Sequence, residues 1–251
     1  MTWSCVAVVA LSPLVTAAQS PSSASVPAVV DSRNYQVSAH ELQVPPKARE
    51  AFNRGTDLLA AKNSAASITQ FQRAIEIYSD FYEAYYKIGL ASLNLQKYQE
   101  AQTAFETSIE LSKGRYPPSQ FGLGVILCIQ KDFAGAEESV RAGLDAYPTD
   151  AAGNFTLAWV LFRAGRLPEA EKSARQAVLS NTNMASAYLL LAQIHLRQNE
   201  LSAVVSDLDA YLALDPEGAH NVEARAIRTQ AQQVLAKQQG DGPIVAKTPT
   251  P

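Results

Sequence analysis

Acid–base or metal chemistry in this chain would depend on three histidines, which lie far apart in the sequence. They are His40, His195 and His220, and no two have the spacing that places a pair of metal ligands on one helix face. The sequence contains no glycine-rich phosphate loop and no Gly-x-Ser-x-Gly motif. Its two cysteines, Cys5 and Cys128, are too few for a disulfide framework or a thiolate metal site. We therefore expect a protein that is not an enzyme and that has no cofactor and no metal.

A binding site is better supported, because two aromatic residues and an arginine lie within one turn of predicted helix. Trp159 and Phe162 are three residues apart, and Arg163 follows Trp159 by four, so all three are neighbours on a helix surface. The two aromatic rings would bury an apolar ligand, and the guanidinium group would pair with a carboxylate. This combination predicts the recognition of a peptide or of another ligand that has both an apolar and an acidic part.

The helices that carry these residues follow from a repeat of small residues. The repeat consists of Gly55, Gly89, Gly124, Ala158 and Ala192, at steps of 34, 35, 34 and 34 residues. Twelve residues after each marker come Ser67, Ala101, Ala136, Ala170 and Val204, and four residues later come Phe71, Phe105, Val140, Ala174 and Leu208. Glycine inside a helix costs about 1 kcal/mol relative to alanine, so its recurrence needs a packing reason. We expect a neighbouring helix to approach closely at each marker.

This period and spacing resemble the tetratricopeptide repeat, a stacked helix–turn–helix unit. The resemblance implies an all-α, right-handed superhelical solenoid of five repeats plus a C-terminal capping helix. The repeats are predicted at residues 48–81, 82–115, 117–150, 151–184 and 185–218, and the capping helix at 219–238. Its apolar side is predicted to comprise Val222, Ala226, Ile227, Val234 and Leu235. One extra residue, within 114–118, is expected to lengthen the connection between the second and third repeats.

In the tetratricopeptide family, the first helix of each repeat (helix A) lines a concave groove, and the second helix (helix B) lies outside it. Carried over by position, the groove residues are Phe52, Tyr86, Asn94, Phe121, Val125, Phe155, Trp159, Phe162, Arg163, Gln193 and Arg197. Phe52, Tyr86 and Phe155 have an alternative interpretation as core residues, since aromatic residues at their position partly pack in the family. His195 occupies a position that usually holds a packed aromatic, and we interpret it as a core residue. The lysine and asparagine by which some relatives clamp a peptide carboxylate are replaced here by Phe52 and Thr56, so that clamp is not expected.

These features predict a non-enzymatic scaffold or adaptor that binds a protein or peptide partner in the groove. A carrier of a small or glycan ligand, such as a cell-wall fragment, is the alternative. Nucleic acid is not an expected partner, because 21 Lys and Arg residues stand against 24 Asp and Glu residues and no basic run occurs.

The N-terminal end indicates export in a bacterium. Residues 5–15 are largely apolar and are followed by Ala17 and Ala18, as in a signal peptide with a cleavage site. No Lys or Arg precedes the apolar run, so an apolar N-terminus without a targeting role is the alternative. The run is shorter than the roughly 20 residues that a membrane span needs. We expect a signal peptide at 1–18, a flexible Pro/Ser/Ala linker at 19–47, a disordered tail at 239–251, and a periplasmic or secreted location.

Overall fold

The structure of the protein, a computed structural model, describes residues 43–240. The predicted signal peptide, most of the predicted linker and nearly all of the predicted tail lie outside these residues. Within 43–240 the chain is all-α, and no strand occurs. No helix in this range is both long enough and apolar enough to cross a membrane.

Ten of the helices between residues 43 and 240 form five successive helix–turn–helix pairs, and one further helix follows them. The first four pairs are α1 (Pro46–Ala60) with α2 (Ser64–Ile77), α3 (Tyr82–Asn94) with α4 (Tyr98–Ser112), α5 (Pro117–Ile129) with α6 (Phe133–Ala146), and α7 (Ala151–Arg163) with α8 (Leu167–Ser180). The fifth pair is α9 (Ala185–Gln198) with α10 (Leu201–Leu214), and α11 (Asn221–Gly240) ends the series. This order confirms the predicted five repeats with a terminal helix.

The described residues fall into two compact units. The first unit, up to residue 182, contains α1 to α8 and therefore four repeats. The second unit begins at residue 183 and contains the fifth repeat with α11.

The turn between the two helices of each repeat has one residue in the left-handed conformation. These residues are Lys62, Gln96, Lys131, Gly165 and Asn199, with φ between 59° and 80°. In the fourth repeat, the Gly165 N–H donates to the Phe162 carbonyl at 3.1 Å, and the Arg166 N–H donates to the Leu161 carbonyl at 2.9 Å. This pair of hydrogen bonds is the Schellman motif, which ends a helix by satisfying its last carbonyl groups. Because all five repeats have this turn, the chain reverses direction between the two helices in the same way in each repeat.

The small residues of the repeat mark the closest approach of helix B to helix A of the same repeat. A Cβ atom added to Gly55 would lie 2.6 Å from the ring of Phe71, and one added to Gly89 would lie 2.5 Å from the ring of Phe105. Gly122, in the next repeat, also lies against Phe105, where an added Cβ would lie 2.6 Å from the ring. The predicted packing reason for the glycines is therefore confirmed, and the partner is the side chain sixteen residues later, which is Phe71 for Gly55, Phe105 for Gly89 and Val140 for Gly124.

The extra residue between the second and third repeats does not lengthen their connection, and this prediction was wrong. Residues 113–116 form a connection of four residues, as long as the connection at 147–150. The additional residue instead extends α4, which has 15 residues, whereas α6 has 14. Lys113 and Gly114 then reverse the chain in the left-handed conformation.

The terminal helix α11 packs against α10, but its buried face differs from the predicted one. The residues that pack are Ala224, Ile227, Ala231, Val234 and Leu235. Val222 is 85% exposed and Ala226 is also exposed, so the prediction was wrong for these two. Each lies two residues from Ala224, which corresponds to about 200° around a helix. Because Ala224 is buried against α10, Val222 and Ala226 lie on the opposite side of α11 and face solvent.

Candidate functional site

Helix α7 carries the aromatic–arginine patch, which we define as Trp159, Phe162 and Arg163. The start of this helix is fixed by Asp150, whose carboxylate accepts a hydrogen bond from the Gly153 N–H at 2.7 Å. A carboxylate at this position also complements the positive end of the helix dipole. This cap fixes where α7 begins, and the patch lies near its C-terminal end.

Arg163 stacks on the indole ring of Trp159. Its guanidinium carbon lies 5.3 Å from the ring centroid, within the range of a cation–π contact. Trp159 and Phe162 are each only 3% exposed, whereas Arg163 is partly exposed. The guanidinium group is therefore the part of the patch that reaches solvent.

The indole N–H of Trp159 is buried and donates no hydrogen bond to any atom of the described residues. A buried donor without an acceptor is uncommon in proteins and destabilises the state that contains it. Such a donor is satisfied when a ligand brings an oxygen within hydrogen-bonding distance. A carboxylate can reach the partly exposed Arg163 directly, whereas an acceptor atom reaches the buried Nε1 only if neighbouring side chains move.

Cys128, on α5, is a buried thiol in the same unit. Burial raises its pKa to about 12, and the positive charge of Arg163 acts in the opposite direction. The thiol is therefore neutral at physiological pH and is not an activated nucleophile. Val125, one turn earlier and predicted in the groove, is also fully buried.

The aromatic groove residues of the third and fourth repeats lie in the core. The ring of Phe121 fills the space between Gly143 and Gly153, where a Cβ atom added to either glycine would lie 2.5 Å from it. Phe155 is also buried. Both positions therefore contribute packing between helices.

The aromatic groove residues of the first two repeats also contact other rings. Phe52 is half-buried, with its ring centroid 4.8 Å from that of Phe81 and 5.6 Å from that of Phe71. Tyr86 is fully buried, with its ring 5.4 Å from that of Tyr116 in an edge-on arrangement. These contacts favour the interpretation of Phe52, Tyr86 and Phe155 as core residues.

Three predicted groove residues are polar and lie nearer the surface. Asn94 is exposed, and its amide donates to the Ser64 hydroxyl at 3.4 Å. Gln193 and Arg197 belong to the second unit, where Gln193 is half-buried and Arg197 is exposed on the last turn of α9. The structure brings Trp159, Phe162 and Arg163 together on α7, which also carries the buried Phe155, and the remaining predicted residues belong to other helices.

His195 is a core residue, as predicted, but sequence reasoning missed its partner. The imidazole is fully buried, and its Nδ1 lies 2.5 Å from Oδ2 of Asp207 on α10. The two residues are twelve apart, which is the same separation as that between the small positions of helices A and B in each repeat. This separation of twelve residues was the signal in the sequence that could have identified Asp207 as the partner of His195. No group of three His, Cys, Asp or Glu side chains within residues 43–240 is arranged to hold a metal ion.

A sequence model of the tetratricopeptide repeat matches residues 52–115, 86–151 and 155–219. These ranges cover more than half of the chain, so the protein belongs to the tetratricopeptide repeat family. A search of curated protein sequences finds no match.

Several solved structures have the same fold. A tetratricopeptide repeat protein of Thermus thermophilus superposes with a TM-score of 0.65 at 19% identity, covering 74% of this chain and 99% of that one. PilF of Pseudomonas aeruginosa gives a TM-score of 0.62 at 14% identity, with 78% and 93% covered. YrrB, described as a tetratricopeptide repeat protein with an unusual peptide-binding site, gives 0.51 at 18% identity, with 70% and 90% covered. At these identities the similarity shows the fold alone.

Proposed function

We propose that this protein is a non-enzymatic adaptor that binds a peptide or helix of a protein partner on the helix A face of its first unit, at the aromatic–arginine patch. Membership of the tetratricopeptide repeat family supports binding to proteins in general, and YrrB is described with a peptide-binding site. The observation that supports this particular site is the buried indole N–H of Trp159, which has no acceptor among the described residues. A peptide carbonyl would supply that acceptor, and an acidic group would pair with Arg163.

Binding at Trp159 requires the Arg163 side chain to move. The guanidinium group covers the indole, and a partly exposed cation–π contact contributes roughly 0.5–1 kcal/mol. A carboxylate that pairs with the guanidinium offsets that loss and draws the Arg163 side chain off the ring. Tryptophan and arginine are also the residue types that most often dominate binding energy at protein interfaces.

A glycan ligand is a weaker candidate for the same patch. Sugar rings stack on an aromatic face that is open to solvent. Trp159 and Phe162 are each 3% exposed, and the indole of Trp159 faces Arg163. The indole N–H is buried as well, but it needs one acceptor oxygen and not an open ring face, so we favour a peptide, whose carbonyl group supplies that oxygen.

The test uses peptides selected from a random displayed library against the full chain, with affinity measured by fluorescence anisotropy. Trp159→Phe keeps an aromatic ring and removes the N–H, and Arg163→Gln removes the charge. We expect each variant to bind a selected peptide at least fivefold more weakly. Arg175→Gln, on α8, is the matched control and should leave affinity unchanged, because Arg175 pairs with Glu171 outside the patch. Unchanged affinity in both patch variants would refute the site.

We also propose that the chain acts in the bacterial periplasm or outside the cell. The apolar residues 5–15 and the alanines 17 and 18 support this location. Expression of the full chain in a bacterium, followed by fractionation and intact mass measurement, tests it. We expect a periplasmic or secreted product that begins after Ala18, and an uncleaved cytoplasmic product would contradict the proposal.

A further inference from the structure

A cleft of about 730 Å³ lies on the helix B side of the first unit, where no site was predicted. Helices α2 and α4 form its walls, and α3 forms its floor. On α4 the lining extends from Gln99 to Thr107, which corresponds to about 12 Å along the helix axis, or two turns. The cleft is therefore large enough for two turns of another helix.

The inner surface of the cleft is apolar. Ile75 and Ile88 are partly buried against the core of the first repeat, and the half-buried ring of Tyr85 lies beside them. On the α4 wall, the Thr103 hydroxyl donates to the Gln99 carbonyl at 3.1 Å, and the Thr107 hydroxyl donates to the Thr103 carbonyl at 2.8 Å. Both hydroxyl groups therefore already donate a hydrogen bond within their own helix. A ligand can contact this wall through apolar groups and need not accept a hydrogen bond from either threonine.

The rim of the cleft has two carboxylates, Glu76 and Glu100, and no basic residue lines it. Both glutamates are exposed, and neither forms a salt bridge or hydrogen bond with another described residue. Some helix B glutamates elsewhere are paired, as Glu137 with Arg141 at 2.7 Å and Glu171 with Arg175 at 2.8 Å. The negative charge at the cleft is therefore available to a cationic partner.

We propose that this cleft binds a basic amphipathic helix of a protein partner. Leucine- or isoleucine-type side chains of that helix contact Ile75, Ile88 and Tyr85, and its lysine or arginine residues pair with Glu76 and Glu100. A nucleic acid or an anionic lipid surface would be repelled by the same two carboxylates. The proposal concerns a different face from the aromatic–arginine patch and does not depend on the proposed function.

The probe is a synthetic helical peptide with leucines on one face and lysines on the rest, labelled with fluorescein, and the full chain is titrated at low salt. We expect binding that weakens at least tenfold in the double variant Glu76→Lys/Glu100→Lys. The matched control is Glu106→Lys/Glu110→Lys, which changes the net charge equally on exposed residues outside the cleft and should change affinity less than twofold. Equal weakening by both double variants, or equal binding of a peptide with glutamates in place of the lysines, would overturn the proposal.

A carbodiimide cross-link tests the contact without substitutions. The carbodiimide joins a lysine of the peptide to a glutamate carboxylate as an amide and takes up the water that this condensation releases. Peptide mapping by mass spectrometry then locates the amide bond. Cross-links at Glu76 or Glu100 support the proposal, and cross-links mainly at other carboxylates overturn it.

If sedimentation shows a dimer of this chain that Glu76→Lys/Glu100→Lys dissociates, the occupant is a second copy and the proposal is wrong. Arg163→Gln should leave basic-peptide binding unchanged, which separates this test from that of the proposed function.

Discussion

Nδ1 of His195 lies 2.5 Å from Oδ2 of Asp207, a hydrogen bond that joins α9 to α10 within the fifth repeat. The imidazole is fully buried, and the Asp207 side chain is only 13% exposed. A catalytic histidine must reach its substrate, so this histidine is better explained as a structural residue that connects the two helices.

Replacing His195 with alanine should destabilise the fifth repeat by about 2–3 kcal/mol, because the change removes this hydrogen bond near a poorly hydrated carboxylate and leaves a cavity. Hydrogen exchange of the α9 and α10 amides measures the effect locally. Asp207→Asn in the same background is the control, because it removes the charge and should recover part of the loss. Unchanged exchange in His195→Ala would show that the hydrogen bond contributes no stability.

The left-handed turn predicts opposite effects of two substitutions at the same repeat position. Gly165→Ala should cost about 1 kcal/mol, because alanine is strained at positive φ. A clash is excluded as the cause, since no atom lies within 4 Å of an added Cβ. Lys131→Gly, one repeat earlier, should stabilise by up to about 1 kcal/mol, because glycine adopts the φ of 69° without strain.

Urea denaturation followed by circular dichroism measures both changes. Gly165→Asn provides the control and should cost less than Gly165→Ala, since asparagine tolerates the left-handed region and Asn199 already occupies it in the fifth repeat. Equal losses for the alanine and asparagine variants would contradict the explanation from backbone strain.

The buried thiol of Cys128 predicts a loss of stability at alkaline pH. Its pKa is raised to about 12 in the folded chain and is about 8.5 in an unfolded one. Between these two pH values the thiol keeps its proton in the folded chain and loses it in the unfolded chain. The contribution of Cys128 to the free energy of unfolding is therefore complete below about pH 8.5 and falls as pH rises towards 12. The slope reaches about 1.4 kcal/mol per pH unit.

Other groups also titrate in this range, so the informative quantity is the difference between the native chain and Cys128→Ala. Denaturation curves from pH 8 to 11 should show a steeper loss for the native chain than for the variant. Parallel losses would mean that the thiol ionises in the folded state as readily as in the unfolded one.

The repeat architecture was predictable from sequence because each marker reports a local packing contact. Gly89 is small because Phe105 lies against it, and both residues belong to the same repeat. A contact within about 20 residues leaves a periodic pattern that the sequence displays directly.

Other features depend on more distant geometry and were not predictable in this way. The buried face of α11 is set by Ala224 and Ala231 against α10, and alanine gives a weaker apolar signal than the exposed Val222. The acidic cleft needs side chains from three helices, and the positions of Glu76 and Glu100 become related only after those helices pack. The burial of Trp159 likewise follows from packing around α7, which a helix pattern alone does not specify.

The most direct test of the proposed function is the nitrogen–proton NMR signal of the Trp159 indole during titration with a selected peptide. The chain has two tryptophans, Trp3 and Trp159, so Trp3→Phe leaves a single indole signal. We predict a downfield proton shift as Nε1–H gains an acceptor, saturating at the peptide concentrations that saturate the anisotropy signal. A peptide that binds with full occupancy and leaves this resonance in place would contradict the account.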